Sequence, residues 1–464
     1  MDRNMPSTNT AFNKLPIELN QRIPSFLSDH KDIANYSLIC RKTDHAINDN
    51  KFSFWCAKYC DDFVLPGGRT NTQLTNTQLR HGYKYRWQWI NKFIKGGFYF
   101  RHGNTVAETA ILNVLKELIA ESFANGTHLL DDDGQLQCLN MIRLKEFVMN
   151  SKLFLNGGKR PPLLGPNETH DASLSAVRIM LSHFLLDGPR RPGTWFALDD
   201  AQKAVYAATN SAPIFTGPNR DVVNMEWILH CMNFFKFYMT SPDEKLFDLL
   251  EDDFGPSKRP TPWCEPLKSG TYPLTTRWYG TYSFMDHHPL ALFRARTTMP
   301  RCGPHIFDHN VGEGKVQSLT LDFNPPASLP WPRSFEHRLR SRRVTDPNSA
   351  FPDLRFDGKG NDIDDPFFAT GWLNALPPQC GIPGWQRISF MKHFEEDLSV
   401  VGQDDLWAYE GVVVPGGRMI LGRWWYASDE DLDFDGEYGG PFVLWAVDGE
   451  DEEENGEVDG GEEE

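Results

Sequence analysis

Apolar positions along this chain recur with two different periods, and the change falls near Pro262. Upstream they come every three or four residues, the spacing that lines one face of a helix. Leu15, Leu19, Ile23 and Phe26–Leu27 make the first such stripe. Pro16 stands where a first helical turn tolerates proline, and Pro24 stands where an i to i−4 bond is lost and a kink is expected. Asp29 or Asp32 can cap a second helix carrying Ile33, Tyr36, Leu38 and Ile39, and a third segment, Thr43 to Cys60, is anchored by Phe52, Trp55 and Tyr59. A polar loop (GGRTNTQLTNTQ) then leads to a basic aromatic run (YKYRWQWINKF), expected to be a helix with a solvated basic face. Five further helices are expected at TVAETAILNVLKELIAES, LQCLNMIRLKEFVMN, DASLSAVRIMLSHFLLD, LDDAQKAVYAATN and DVVNMEWILHCMNFFKFYM, separated by Gly/Pro-rich joints.

Downstream the period shortens to two. KVQSLTLDF places Gln317, Leu319, Leu321 and Phe323 on one side, and WYGTYSFMD, WQRISFMKHF and GPFVLWAVD read as strands. LWAYEGVVVPGGRMILGRWWYA predicts a hairpin around a type II turn, Val414-Pro415-Gly416-Gly417. That turn opposes Trp407 to Trp424 and Tyr409 to Gly422, and makes Glu410 and Arg423 diagonal neighbours on one face. Which face points inward stays open, because both carry apolar and polar residues. Many strands with no helix between them predict a barrel or a sandwich.

Composition adds constraints. The chain has 464 residues, 40% hydrophobic and 13% aromatic, enough for several folded domains. Its formal charge is −16, and the stretch 448–464 holds eleven Asp or Glu with no Lys or Arg, leaving −5 for the rest. The tail is expected to be disordered by its own repulsion, and neither part has the basic clustering of a nucleic-acid binder. No apolar leader opens the chain and no run approaches the ~20 apolar residues of a membrane helix, so neither secretion nor a membrane span is expected. Eight cysteines scattered without a framework suit reduced thiols in the cytoplasm and/or nucleus.

The opening stretch, LPIELNQRIPSFLSDHKDIANYSLICRKTDHAINDNKFSFW, resembles an F-box. The likeness rests on Leu15-Pro16, Leu19, Ile23, Phe26-Leu27, Asp32-Ile33, Ile39-Cys40-Arg41 and Trp55, with departures at Pro24 and Thr43. NMEWILHCMNFF, RWYGTYSF, DPFFATGWLNALPPQCGIPGWQRISFMKHF, WAYEGVVVPGGRMILGRWW and GPFVLWAV are similar to a large fungal F-box family. The resemblance implies a substrate-recognition adaptor of an SCF-type ubiquitin ligase. In that role the F-box docks a Skp-type adaptor, which bridges to cullin and RING subunits, and the C-terminal domain holds a client protein. Physics points the same way: a helical element of this size leaves Leu15, Pro16, Leu19, Ile23, Leu27 and Ile33 as an apolar patch in need of cover. Packing of that face onto the chain's own middle region is the plainer alternative.

Candidate chemistry is sparse. His287-His288 and Cys302, His305 and His309 have spacings that can hold zinc, but no second Cys pair accompanies them, and surface loop histidines are the default. Cys56 and Cys60 read as helix packing. Asp353, Asp357, Asp362, Asp364 and Asp365 around Gly358 and Gly360 can attract calcium, yet lack the terminal Glu of an EF-hand, and a solvated loop is favoured. There is no nucleophile elbow, phosphate loop or zinc-protease motif. The aromatic set of the β region, Trp278, Tyr282, Trp385, Trp407, Tyr409, Trp424, Trp425 and Trp445, reads first as core. A peptide-gripping site is the functional reading, since Trp, Tyr and Arg dominate binding hot spots.

The resulting expectation is an α+β multidomain protein. It comprises a disordered 1–9, a three-helix F-box at 10–62, a mainly helical 63–262, an antiparallel β barrel or sandwich at 263–448, and a disordered acidic tail at 449–464. Adaptor contacts are expected at Leu15, Pro16, Leu19, Ile23, Phe26, Leu27, Ile33 and Ile39, and client contacts at Trp278, Tyr282, Trp407, Tyr409, Glu410, Arg423, Trp424 and Trp425. No catalytic residue, cofactor, metal, nucleic acid or membrane is expected. The alternatives are a small-molecule-binding barrel, since Trp278-Tyr279-Gly280 is similar to a lipocalin-like opening strand, or a metal-dependent enzyme in the β region.

Overall fold

The computed structural model describes residues 11–448 apart from 28, 52, 66–73, 99–105, 132–135, 152–153, 155–170, 187–197, 210, 241–245, 247–257, 296–307, 325–350, 363–364, 396–405 and 428–437. The expected disordered ends, 1–9 and 449–464, lie outside the described residues. Within them the chain is an α+β protein, with an N-terminal helical region and a C-terminal eight-stranded antiparallel β-barrel.

Five helices occupy the described part of 10–62 where the spacing predicts three: α1 (Ala11–Lys14), α2 (Ile17–Ser25), α3 (His30–Ser37), α4 (Arg41–Asn48) and α5 (Phe54–Asp62). Local capping divides them. The Asp29 carboxylate accepts from the Lys31 backbone N–H and starts α3. Thr43 caps back onto the Cys40 N–H and separates α4 from α3. Pro24 sits in the last turn of α2, so it closes the helix instead of kinking its middle.

The helical region continues through α6 (Asn76–Ile94), α7 (Val106–Glu121), α8 (Leu139–Asn150), α9 (Ala172–Leu181), α10 (Leu198–Val205) and α11 (Met225–Thr240), all from segments of helical period. Two features of this region differ from expectation. Val222–Val223, expected as helix, pairs as β2 with β1 (Phe215–Thr216). Arg86, expected on a solvated face, is buried: its guanidinium lies 2.7 Å from Glu121 and 3.3 Å from Glu117, over the rings of Tyr59 and Phe63.

The barrel strands are β3 (Arg277–Phe284), β5 (Gln317–Asp322), β6 (Leu354–Asp362), β7 (Asp365–Ala375), β8 (Gln386–His393), β9 (Trp407–Val413), β10 (Met419–Tyr426) and β11 (Gly439–Ala446). Each is antiparallel to the next, and β11 returns to pair with β3, which closes the sheet and removes its edges. A two-residue β4 (His309–Asn310) extends the end of β3, after helix α12 (His287–Ala295). The acidic run expected as a solvated loop is the β6–β7 hairpin. Its inward positions are Phe356, Gly358, Gly360 and Asp362, and the two glycines conceal the alternation. At Gly360 a Cβ would stand 2.0 Å from the Ser318 carbonyl and 2.6 Å from the Phe367 ring, so only glycine fits there.

The β9–β10 turn forms at Val414–Gly417, with the Gly417 N–H donating to the Val414 carbonyl and Gly416 at φ +91°. Gly417 is also left-handed, at φ +67°, and the strands resume pairing at Val414 and Met419. The register therefore shifts by two from the one expected: Tyr409 opposes Trp424, Trp407 opposes Tyr426, and Glu410 directly opposes Arg423. A shift of two preserves the face of every side chain. Trp407, Tyr409 and Trp424 point into the barrel with Trp278, Tyr282, Phe390 and Phe442. Glu410, Arg423 and Trp425 point out. Helix α11 lies along that outer wall, and one apolar core runs without a break from Ile33 to Val447.

Candidate functional site

Helix α2 is inside out. Its inward positions are Ile17, Asn20, Gln21 and Pro24, and its outward stripe is Leu19, Ile23 and Phe26, at i, i+4 and i+7. The inward polar groups are satisfied. Asn20 donates to the Phe12 carbonyl at 3.2 Å and accepts from the Tyr36 hydroxyl at 3.1 Å, while Gln21 donates to the Ala46 carbonyl at 2.9 Å. Phe26 is 74% exposed, and the residues that follow α3, Leu38 (75%) and Ile39, are exposed as well. Of the expected adaptor contacts, Pro16, Leu19, Ile23, Phe26 and Ile39 are exposed, and Leu15 and Leu27 are half-buried. Ile33 is a correction: it is fully buried in the core, on the inward side of α3, and offers nothing to a partner.

Behind that surface the helices are firmly held. Asn76, the first residue of α6, accepts from the Trp55 N–H at 2.8 Å and donates to the Ile47 carbonyl at 2.9 Å. Asp62 at the end of α5 accepts from the Tyr83 hydroxyl and from Arg143 of α8, both at 2.7 Å. The exposed stripe is thus the outer face of an element whose other sides join the core.

The expected client set does not form one site. The sheet divides it: Trp278, Tyr282, Trp407, Tyr409 and Trp424 are interior, whereas Glu410, Arg423 and Trp425 are on the outer wall. Trp278, Tyr409, Trp424, Trp425, Glu410 and Arg423 are all buried, which corrects their expectation as client contacts and agrees with the first reading of the aromatic residues as core. The cause is closure on one side and helices on the other. The Glu410 carboxylate pairs with Arg387 of β8, whose guanidinium lies 4.9 Å over the Phe215 ring. Arg423 lies 4.4 Å over Trp227 of α11 and donates to the Ala207 carbonyl at 3.3 Å. These charges seat the helical region on the barrel.

A second polar seat stands nearby. Asp308 accepts from Gln202 (2.8 Å), from Tyr206 (3.0 Å) and from Tyr238, drawing α10 and α11 to the end of β3, where Tyr206 also meets Ser283 at 2.8 Å. Burial raises the Asp308 carboxyl to about 6, against the pull of these donors.

Only Tyr282 and Trp407 of the expected client set reach a barrel mouth, and both are half-buried. There β3, β6, β8 and β10 end and β5, β7, β9 and β11 begin. Just inside, Lys392 is buried between Asp362, with which it pairs, and Gln317 at 3.4 Å. Tyr282 donates to the same Asp362 oxygen at 3.0 Å. Desolvation lowers the Lys392 ammonium below its usual value, against the pull of Asp362. The Lys392–Asp362 pair was not anticipated. The signal for it lay in the parity of two strands, one of them hidden by glycines.

Cys302, His305 and Asp364 lie outside the described residues, and among those described no cluster of three or more His, Cys, Asp or Glu could hold a metal ion. Among them, too, no helix is long and apolar enough to cross a membrane. Comparison with known proteins finds no matching family model, no matching characterised protein and no matching solved structure.

Proposed function

We propose that this chain is the substrate-recognition subunit of an SCF-type ubiquitin ligase, with 10–62 as an F-box that docks a Skp-type adaptor and the barrel region presenting a client. The observation that carries the reading is helix α2, which turns Asn20 and Gln21 to its own fold and Leu19, Ile23 and Phe26 to solvent. A helix with its apolar stripe outward is stabilised by a partner that covers the stripe. The sequence of the same segment is the one that resembles an F-box. Through the adaptor the chain would join cullin and RING subunits in the cytoplasm and/or nucleus, and its contribution would be proximity between client and conjugating enzyme, not bond chemistry.

The test is co-purification of the intact chain from its own cells, beside a variant carrying Ile23→Glu and Phe26→Glu. The expected result is a Skp-type adaptor and a cullin with the native chain and neither with the variant, at unchanged thermal stability. An adaptor retained by the variant, or none with the native chain, refutes the reading.

A further inference from the structure

Between Asp62 and Glu108 the sequence holds seven Lys or Arg and no Asp or Glu, although the whole chain carries 63 acidic residues and a formal charge of −16. Helix α6 occupies the middle of that run. We propose that its solvent face is a docking surface for an acidic protein segment, whose Asp and Glu side chains meet Arg80, Lys84, Lys92 and Lys95. No residue of this face belongs to the stripe on α2, and the proposal does not rest on the adaptor reading.

The face follows from the helical period. Leu79, Tyr83, Arg86, Ile90 and Phe93 take the buried side of α6. That leaves Arg80, Lys84 and Lys92 half-buried on the other side, with His81, Gln88 and the terminal Lys95 exposed. At 1.5 Å per residue the four cations span about 22 Å. Among the described residues none of the four meets a carboxylate, whereas Arg86, Arg143, Arg387 and Arg418 all do. Rings hold them instead. Arg80 and Lys84 lie 6.0 and 5.6 Å from the centroid of one ring, Trp55, and Lys92 lies 4.0 Å from that of Trp89.

Arg80 and Lys84 stand at i and i+4, a spacing at which like charges weaken a helix. Burial, and after it the charge of Arg80, hold the Lys84 ammonium below its usual value. Lys92 and Lys95 suit the C-terminal end of a helix, but Arg80 and Lys84 have no such local reason to be there. Carboxylates laid along the face relieve the repulsion and replace the lost solvation. The rings favour a protein over a nucleic acid as their source. Trp55 and Trp89 are only 1% and 8% exposed beneath their cations, so neither offers a face on which a base can stack. The net charge of the chain also repels a long polyanion.

The probe is a labelled Glu/Asp-rich peptide, beside a Gln/Asn-substituted counterpart and a single-stranded oligonucleotide of equal charge. Each is titrated by fluorescence anisotropy into the full chain. An α6 variant, Arg80→Gln with Lys84→Gln and Lys92→Gln, is compared with a control, Lys203→Gln with Lys268→Gln and Lys359→Gln, which removes the same charge from exposed positions elsewhere. The expected result is binding of the acidic peptide alone, weakened roughly tenfold in the α6 variant at the same melting temperature and unchanged in the control. Lys84→Gln alone is expected to weaken it roughly threefold, and it carries the comparison if the triple variant melts lower. Absence of binding overturns the proposal. So does equal weakening in the control, which would make net charge the cause. An oligonucleotide that binds more tightly than the peptide and is lost in the α6 variant overturns it too, and would give the face to nucleic acid.

Discussion

Helix α2 and the outer wall of β8–β10 break the usual rule of burial in opposite directions. The helix leaves Leu19, Ile23 and Phe26 in solvent, while the wall buries Arg387, Glu410 and Arg423. The difference lies in what is packed on each. The wall is covered by α11 and by the chain around Ala207 and Phe215, which supply ring faces and a carbonyl to the charges. The stripe on α2 has no cover of its own among the described residues. A buried charge here marks an internal joint, and the exposed apolar stripe is where the proposed adaptor would dock.

The largest effect is expected at the internal joint. Glu410→Ala leaves Arg387 without its carboxylate inside the protein and is expected to cost about 3–5 kcal/mol in urea unfolding. Replacing both partners, Arg387→Met with Glu410→Leu, is expected to restore most of it. A double variant as unstable as the single would show that the pair is not the source.

Asp308→Asn is expected to change the shape of the pH profile. Burial holds this carboxyl at about 6 against an ordinary 3.8, so between those values the folded chain keeps a proton that the unfolded chain has lost. Its contribution to stability is complete below pH 3.8 and is lost as pH rises through 6, a swing of about 3 kcal/mol. His183 has the opposite slope: burial lowers it from 6.5 to about 3, so stability is lost as pH falls through that window. The difference between native chain and variant isolates Asp308, and parallel curves from pH 4 to 6.5 would refute its role.

Gly360→Ala drives a Cβ against the Ser318 carbonyl and is expected to cost about 1–3 kcal/mol by strain in the β5–β6 pairing. An unchanged unfolding midpoint would mean that the hairpin yields at no cost. The smallest effect on stability belongs to α2. Ile23→Glu with Phe26→Glu is expected to move it by no more than about 0.5 kcal/mol, because both side chains already face water. A loss of several kcal/mol would make the stripe part of the fold and not a contact.

Much of this was legible beforehand. The helices after residue 105 follow their apolar period, and β3, β5, β8, β9, β10 and β11 follow theirs. The failures have particular causes. Gly358 and Gly360 erased the alternation of β6, and β7 was missed with it, so a hairpin read as an acidic loop. Gly417 in the left-handed region lengthened the β9–β10 loop and moved the register by two. Ile33 shares its spacing with Ile23, yet one faces the core and the other solvent.

The sequence by itself determined the two periods, the switch between them near Pro262 and the parity of the strands it revealed, because side-chain direction follows from local backbone geometry. Tertiary structure alone decided that the sheet closes, that Glu410 and Arg423 lie beneath helices, that Lys392 meets Asp362, and that α2 shows its apolar side to water. Those outcomes depend on pairings and docking between residues far apart in the chain, and no local pattern carries the identity of a distant neighbour.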